Sequence, residues 1–148
     1  MEWEGLAGLP AFDEDLESTP PPPVQDFLDA VEAADALLIA TPEYNASLPG
    51  ALKNALDWAS RPFPDNSLRG KPTALVSAST GPFGALWALA ELRKVMAAIG
   101  ADVVQADLAV PRADAAFGHD GELRDPAMAL ALGAVVDDLL ARILEQAA

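Results

Sequence analysis

The sequence predicts one α/β domain over residues 1–148, built on a parallel β-sheet with helices on both faces. Apolar runs of strand length alternate with segments of helical periodicity, and the links between them are short. The first two predicted strands also empty into loops rich in Gly, Pro, Ser and Asn. Alternation of this kind calls for right-handed crossovers between parallel strands, with ligands bound beyond the strands' carboxyl ends.

The acidic run Asp13 to Glu17 is expected to be a solvated turn, and Pro20 to Pro23 an extended connector of polyproline type. Val24, Phe27, Leu28 and Val31 then recur at i, i+3, i+4, i+7, which predicts a helix with Gln25, Asp26, Asp29 and Glu32 towards solvent. Ala36 to Ala40 reads as a parallel strand buried on both faces. A second helix starts near Pro49, carries Leu52, Ala55, Leu56 and Ala59 on one face, and ends at Arg61-Pro62. Thr73 to Ala78 is the next strand, Ser79 to Gly84 a loop, and Leu89, Leu92, Met96 and Ile99 mark a helix that Gly100 terminates. The third strand covers Asp102 to Ala106. A looser region follows, with a turn at Asp120-Gly121 between Phe117 and Leu123. Asp125-Pro126 opens the last helix, whose apolar positions are Met128, Leu132, Val135, Val136, Leu139, Leu140 and Ile143.

With 51% of its 148 residues hydrophobic, the chain can build one core but not two full ones. No apolar run approaches the roughly 20 residues needed to cross a bilayer, and Met1 to Gly5 lack the basic flank and apolar core of a signal peptide. A cytoplasmic protein is expected. The absence of cysteine excludes disulfides and thiolate chemistry, so a redox role needs a borrowed cofactor. A net charge of −14 repels phosphate backbones and anionic lipid, which argues against nucleic acid and membrane as partners.

The gap-free segment from Thr41-Pro42-Glu43-Tyr44-Asn45 through Pro49-Gly50-Ala51-Leu52-Lys53-Asn54 to Arg61-Pro62 resembles the signature of the NADPH-dependent FMN reductase family. Ala78-Ser79-Thr80-Gly81, Pro111-Arg112 and Phe117 to Gly121 extend the likeness, which can be laid along the chain from about Leu6 to the final helix. The resemblance implies a flavodoxin-like fold, FMN and NAD(P)H as cofactors, and a homodimer or homotetramer. It implies that the loop Pro42, Glu43, Tyr44, Asn45 wraps one edge of the isoalloxazine ring, and that Ser79, Thr80 and Gly81 approach from a second side, mostly through backbone groups. Such a ring is flat with a polar pyrimidine edge, so it needs a slot lined with accessible backbone donors and acceptors. No catalytic acid–base residue and no metal site is expected.

The family opens with a strand, a Gly-Ser-rich phosphate loop and a helix, and nothing here matches them. Met1-Glu2-Trp3 instead aligns with the end of the second family strand. The expectation is therefore a sheet without its first, central strand, with two open strand edges, arising from a misplaced start or truncated frame or else from a variant that recruits a partner's strand.

Blander readings stand beside these. Thr41 to Asn45 also fits a plain strand-to-helix connection, and Tyr44 half-buried packing. Lys53 and Asp57 read as an exposed helix pair, and His119 as a solvated turn residue. Trp58 lies off the main apolar stripe, which suits a dimer contact or the edge of the core. Arg93 suits an interface pair or the solvent face. The leading functional reading is hydride transfer from NAD(P)H to FMN and on to a quinone, azo compound or metal oxyanion. Its alternatives are a non-catalytic remnant or dimerisation subunit that holds no flavin, and an FMN-carrying electron-transfer protein.

Overall fold

A computed structural model describes all of residues 1–148. Five helices and three strands follow in the order α1 (Pro22–Ala33), β1 (Leu37–Thr41), α2 (Gly50–Ala59), β2 (Pro72–Ala78), α3 (Leu86–Ile99), β3 (Asp102–Val110), α4 (Ala113–Ala116) and α5 (Pro126–Gln146). The strands form one parallel sheet, ordered β1-β2-β3. Successive β2 side chains point to opposite faces, so Leu75 packs with α1, α2 and α3 while Ala74 packs with Val104 and the α5 residues Val135 and Leu139. Helices thus cover both faces.

The proline run is not wholly a connector. Pro22 and Pro23 begin α1, because a first helical turn has no use for their missing N–H groups. Val24, Phe27 and Val31 are buried as the periodicity requires. The acidic turn is a short 3₁₀ segment in which Asp13 accepts a hydrogen bond from the Asp15 amide, with Arg61 3.5 Å from Glu14. Trp58 belongs to the core of its own chain: it is 1% exposed, donates Nε1 to the Pro10 carbonyl at 3.0 Å, and meets Phe12 edge-on at 5.0 Å.

Strand β3 is four residues longer than expected, reaching Val110. Its pairing with β2 is irregular: Val103 faces Thr73 but Asp107 faces Leu75, so β3 accommodates two extra residues there. Arg93 holds this bulge, donating to the Val104 carbonyl at 3.0 Å and to the Asp107 carboxylate at 2.8 Å. It therefore serves neither of the roles weighed for it. Lys53 and Asp57 form the expected pair at 2.6 Å, both partly exposed, a contact of well under 1 kcal/mol in such surroundings. The Phe117–Leu123 bridge closes the expected turn around exposed His119, and Asp125 caps α5 through the Ala127 amide.

Two departures concern the open side of the sheet. Strand β1 is not buried on both faces, since Leu38 is 50% exposed and Ala40 is also exposed. Met1 to Trp3 form no strand, so the sheet has one open edge beside them at β1 and not two open edges flanking a gap. On α5 only Val135 and Leu139 of the predicted stripe are buried, and Leu140 is 52% exposed. Helix α5 lies on β2 and β3 with no second helix beside it to cover the rest of its apolar surface.

Candidate functional site

All three strands run the same way, so their carboxyl ends share one edge of the sheet. The pairings Thr41–Ser77 and Ser77–Ala109 set the loops after β1, β2 and β3 side by side there. Thr41 is buried and its hydroxyl donates to the Pro42 carbonyl at 2.9 Å, which fixes the exit of β1. The chain then makes a tight turn. Tyr44 and Ser47 exchange backbone hydrogen bonds of 3.0 and 3.1 Å, and Asn45 and Ala46 both take positive φ, 53° and 60°, as in a type I′ turn. Pro42, Tyr44 and Asn45 are exposed on this turn.

The loop after β2 is tied to the end of β3. The Ser79 amide donates to the Val110 carbonyl at 3.1 Å, the Ala113 amide to the Ser79 carbonyl at 2.9 Å, and the Arg112 amide to the Gly81 carbonyl at 3.0 Å. Ser79 and Gly81 are half-buried and Thr80 exposed. The amides of Thr80 and Gly81 donate to no protein acceptor, and neither do those of Asn45 and Ala46. Four backbone donors on two adjoining loops are therefore open to a ligand's polar edge.

Glu43 plays a part that the sequence did not suggest. Its Oε2 accepts from the Trp87 and Ala88 amides, both at 3.1 Å. These belong to the first turn of α3, whose preceding residue Ala85 provides no side-chain cap. The carboxylate thus caps the helix from a distant loop, satisfying orphan amides and meeting the positive end of the helix dipole. Ser47 adds a second tie, donating to the Glu91 carboxylate at 2.5 Å. The two loops and α3 are consequently one connected unit. Glu43→Ala is expected to cost about 1–2 kcal/mol, the usual loss for a cap, and to speed hydrogen exchange at the Trp87 and Ala88 amides while distant β3 amides keep their protection. Unchanged exchange at those two amides would argue against the cap.

The backbone is strained at this edge and nowhere else. Non-glycine residues with positive φ are Asn45, Ala46, Ala85 and Arg112, and every one lies in these loops. Arg112 is exposed and makes no ion pair, which makes it a cation beside Ser79 to Gly81 in an otherwise acidic molecule. Pro111-Arg112 belongs to the family likeness, but the place of Arg112 beside the Ser79 loop was not expected, because it depends on how far β3 extends. Beside the site Phe83 and Trp87 stack edge to face at 5.1 Å, both more than half exposed.

Seven residues were expected to hold a flavin ring: Pro42, Glu43, Tyr44, Asn45, Ser79, Thr80 and Gly81. All seven lie on the two adjoining loops, but the Glu43 side chain is turned to α3 and leaves only its backbone for a ligand.

The family model for NADPH-dependent FMN reductase matches residues 2–115. An NAD(P)H-dependent FMN reductase of Pseudomonas aeruginosa is 41% identical over 127 residues, covering 84% of this chain and 68% of that protein. A 2-hydroxy-1,4-benzoquinone reductase of a Burkholderia species is 47% identical over 97 residues, covering 66% of this chain and 53% of that one. Among solved structures, the flavoenzyme NAD(P)H:(acceptor) oxidoreductase FerB of Paracoccus denitrificans superposes with a TM-score of 0.84 at 36% identity, over 95% of this chain and 78% of FerB. The chain thus spans about half to two thirds of the length of these curated relatives. Together with the parallel sheet and the paired loops at its carboxyl edge, the match shows that this chain belongs to the NADPH-dependent FMN reductase family.

Proposed function

We propose that the protein is an NAD(P)H-dependent oxidoreductase that uses FMN to reduce a small acceptor such as a quinone, azo compound or metal oxyanion. The observation that carries this reading is the set of unpaired amides at Asn45, Ala46, Thr80 and Gly81 on two adjoining loops at the carboxyl edge of the sheet, the first two of them on left-handed backbone. The relatives whose names record FMN or quinone reduction lend support.

The residues present suit the ring of the cofactor. Amide donors at fixed positions match a pyrimidine edge that gains negative charge on reduction, and they stabilise that charge without a titrating side chain. Pro42 and Tyr44 offer flat, exposed walls, and Arg112 stands ready to offset anionic charge against the acidic field. FMN would supply hydride acceptance and onward electron transfer. The chain's own residues bind and orient the ring, and the tied loops keep the slot in shape between substrates. We read exposed Phe83, Leu86 and Trp87 as the face on which a second subunit closes the slot, in a cytoplasmic homodimer or homotetramer.

The phosphate is a different matter, because the amides at the start of α3 are already taken by the Glu43 carboxylate. The isolated 148-residue chain is therefore expected to bind FMN at most about fivefold more tightly than riboflavin, since an exposed Arg112 adds no more than about 1 kcal/mol against a phosphate. Quenching of flavin fluorescence on titration reads both affinities, and oxidation of NADH or NADPH with a benzoquinone acceptor reads activity. Uptake of neither flavin together with no nucleotide oxidation would sink the enzyme reading and leave a non-catalytic family member.

A further inference from the structure

Of the nine lysines and arginines, six are held by the protein itself. Lys53, Arg61, Arg93 and Arg142 pair with carboxylates, while Arg69 and Lys71 donate to backbone carbonyls. The side chains of Lys94, Arg112 and Arg124 are exposed and have no such partner. Lys94 stands on α3, away from the loops, and Arg124 lies beyond α4, where its amide donates to the Ala116 carbonyl at 2.9 Å. Only Arg112 is joined to the loop after β2, through its amide and the Gly81 carbonyl at 3.0 Å.

Arg112 is fastened at its backbone and free at its head. Its carbonyl accepts from the Ala115 and Ala116 amides at 2.8 and 2.9 Å, and its φ is 49°. Left-handed backbone strains any residue with a Cβ, and Gly or Asn is the usual occupant. Of the four non-glycine residues in that region, Asn45 suits it, and Ala46 and Ala85 carry only a methyl group. Arg112 alone brings a charge there. An arginine kept where glycine would fit without strain is explained by its side chain, not by its backbone.

The surroundings suit an anion. The Thr80 and Gly81 amides find no protein acceptor, so two neutral donors lie on the loop to which Arg112 is tied. Asp114 is two residues on, at the start of α4, and helix residues two apart do not face each other. Ser79 and Gly81 are half-buried whereas Arg112 is exposed, which puts the cation at the rim of the loop and not on its floor. A ring that stays bound occupies the floor. A ligand that comes and goes crosses the rim, and in a chain of net charge −14 a lone cation there also steers approaching anions.

We propose that Arg112 selects the acceptor by charge: planar acceptors bearing a carboxylate or sulfonate are taken in preference to neutral acceptors of the same ring, with the anionic group on the guanidinium and beside the Thr80 and Gly81 amides. This rests on the flavin-dependent acceptor reduction proposed above and names the class of acceptor. A guanidinium presents two parallel N–H donors to two oxygens, a match that the single oxygen of a quinone carbonyl does not offer. The carboxylate or sulfonate keeps its charge and bonds while the quinone takes up two electrons and two protons. Arg112 therefore acts on the acceptor's binding and not on the electron transfer.

The test compares naphthoquinone with naphthoquinone carboxylated on the ring remote from its carbonyls. Without NAD(P)H the oxidised protein and the quinone do not react, so quenching of Trp emission reads both affinities at equilibrium. Arg112→Gln should weaken binding of the carboxylated quinone about three- to fivefold, the range of an exposed ion pair, and leave the neutral quinone unchanged. The parent's preference should shrink as salt rises from about 0.01 to about 1 M, which cuts the screening length from roughly 30 to roughly 3 Å. Arg112→Lys should keep part of it. Arg112→Gly should abolish it while the melting temperature stays at or above the parent's, because glycine relieves the left-handed backbone. In turnover the KM for the carboxylated quinone should rise by the same factor in Arg112→Gln with kcat unchanged. An affinity ratio identical in the parent and Arg112→Gln overturns the proposal, and so does an equal loss for both quinones. A loss that appears between FMN and riboflavin, or between NADPH and NADH, in its place also overturns it, since the arginine would then serve a phosphate. Failure of flavin uptake shows in the titration described above and the quinone affinities are read without it, so the two failures are told apart.

Discussion

Gly84→Ala is expected to destabilise the protein by about 3 kcal/mol, the sum of a left-handed non-glycine residue and an overpacked contact. Gly84 has a φ of 61°, and a Cβ placed there would lie 2.7 Å from the Ala109 carbonyl carbon and 2.8 Å from the Val110 backbone. Those neighbours are main chain in a paired strand and have no rotamer to yield. The adjoining Ala85 is also left-handed at 64°, so the chain already makes two successive turns in that region before α3 begins. The Ser77 hydroxyl donates to the Gly84 carbonyl at 2.7 Å and locks the arrangement from β2. Urea unfolding should show a lower midpoint at unchanged slope, because the surface exposed on unfolding is the same. Flavin binding should weaken as well, since Gly84 lies between the open amides of Thr80 and Gly81 and the helix turn that Glu43 caps. A variant with parent stability would mean that β3 can withdraw from the loop, contrary to its pairing with β2.

How much of this was legible in the sequence differs by level. Helical periodicity placed Val24, Phe27, Val31, Leu89, Leu92, Met96 and Ile99 in the core, and all seven are buried, because spacing reports directly on which face of a helix meets the sheet. Strand limits were harder. In β3 the polar residues Gln105 and Asp107 break the apolar run, and the strand carries them because both are exposed and the Arg93 guanidinium, arriving from α3, pairs with Asp107. The α5 stripe shows the opposite failure: periodicity asks for burial at Val136 and Leu140, yet whether an apolar face is covered depends on what is beside it, and that is not written in the helix itself. For the site, the two loops were marked by their residue types and by where they follow strands. The Glu43 cap was hidden because its partners are 44 and 45 residues away, and a carboxylate in a loop gives no sign of which helix start it will reach.

Trp58→Ala should produce the other large effect, about 3–5 kcal/mol for emptying a fully buried aromatic site. Size is only part of the reason. The indole N–H and the Asn54 side-chain amide both donate to the Pro10 carbonyl, at 3.0 and 2.8 Å, and Asn54 Oδ1 accepts from the Phe12 amide at 2.8 Å. Arg61 lies 5.3 Å over the Phe12 ring on the other side. Removing the indole therefore opens a void in α2 and loosens the segment from Leu9 to Phe12 that covers it. Trp58→Phe separates the two contributions: it keeps most of the packing and loses only the bond to Pro10, so about 1–2 kcal/mol is expected. Limited proteolysis should then cut between residues 9 and 20 faster in the Ala variant than in the Phe variant. The flavin loop is affected too, because α2 begins only three residues after Ser47, and buried Leu48 anchors the junction. Helix α2 holds one end of the Thr41–Ser47 loop, as the Glu43 cap on α3 holds its middle. Measured well below its melting transition, Trp58→Ala should therefore weaken flavin binding although the indole itself faces Pro10 and Phe12, whereas Trp58→Phe should leave it unchanged. Equal flavin affinity in both variants would show that the loop takes its shape from α3 alone.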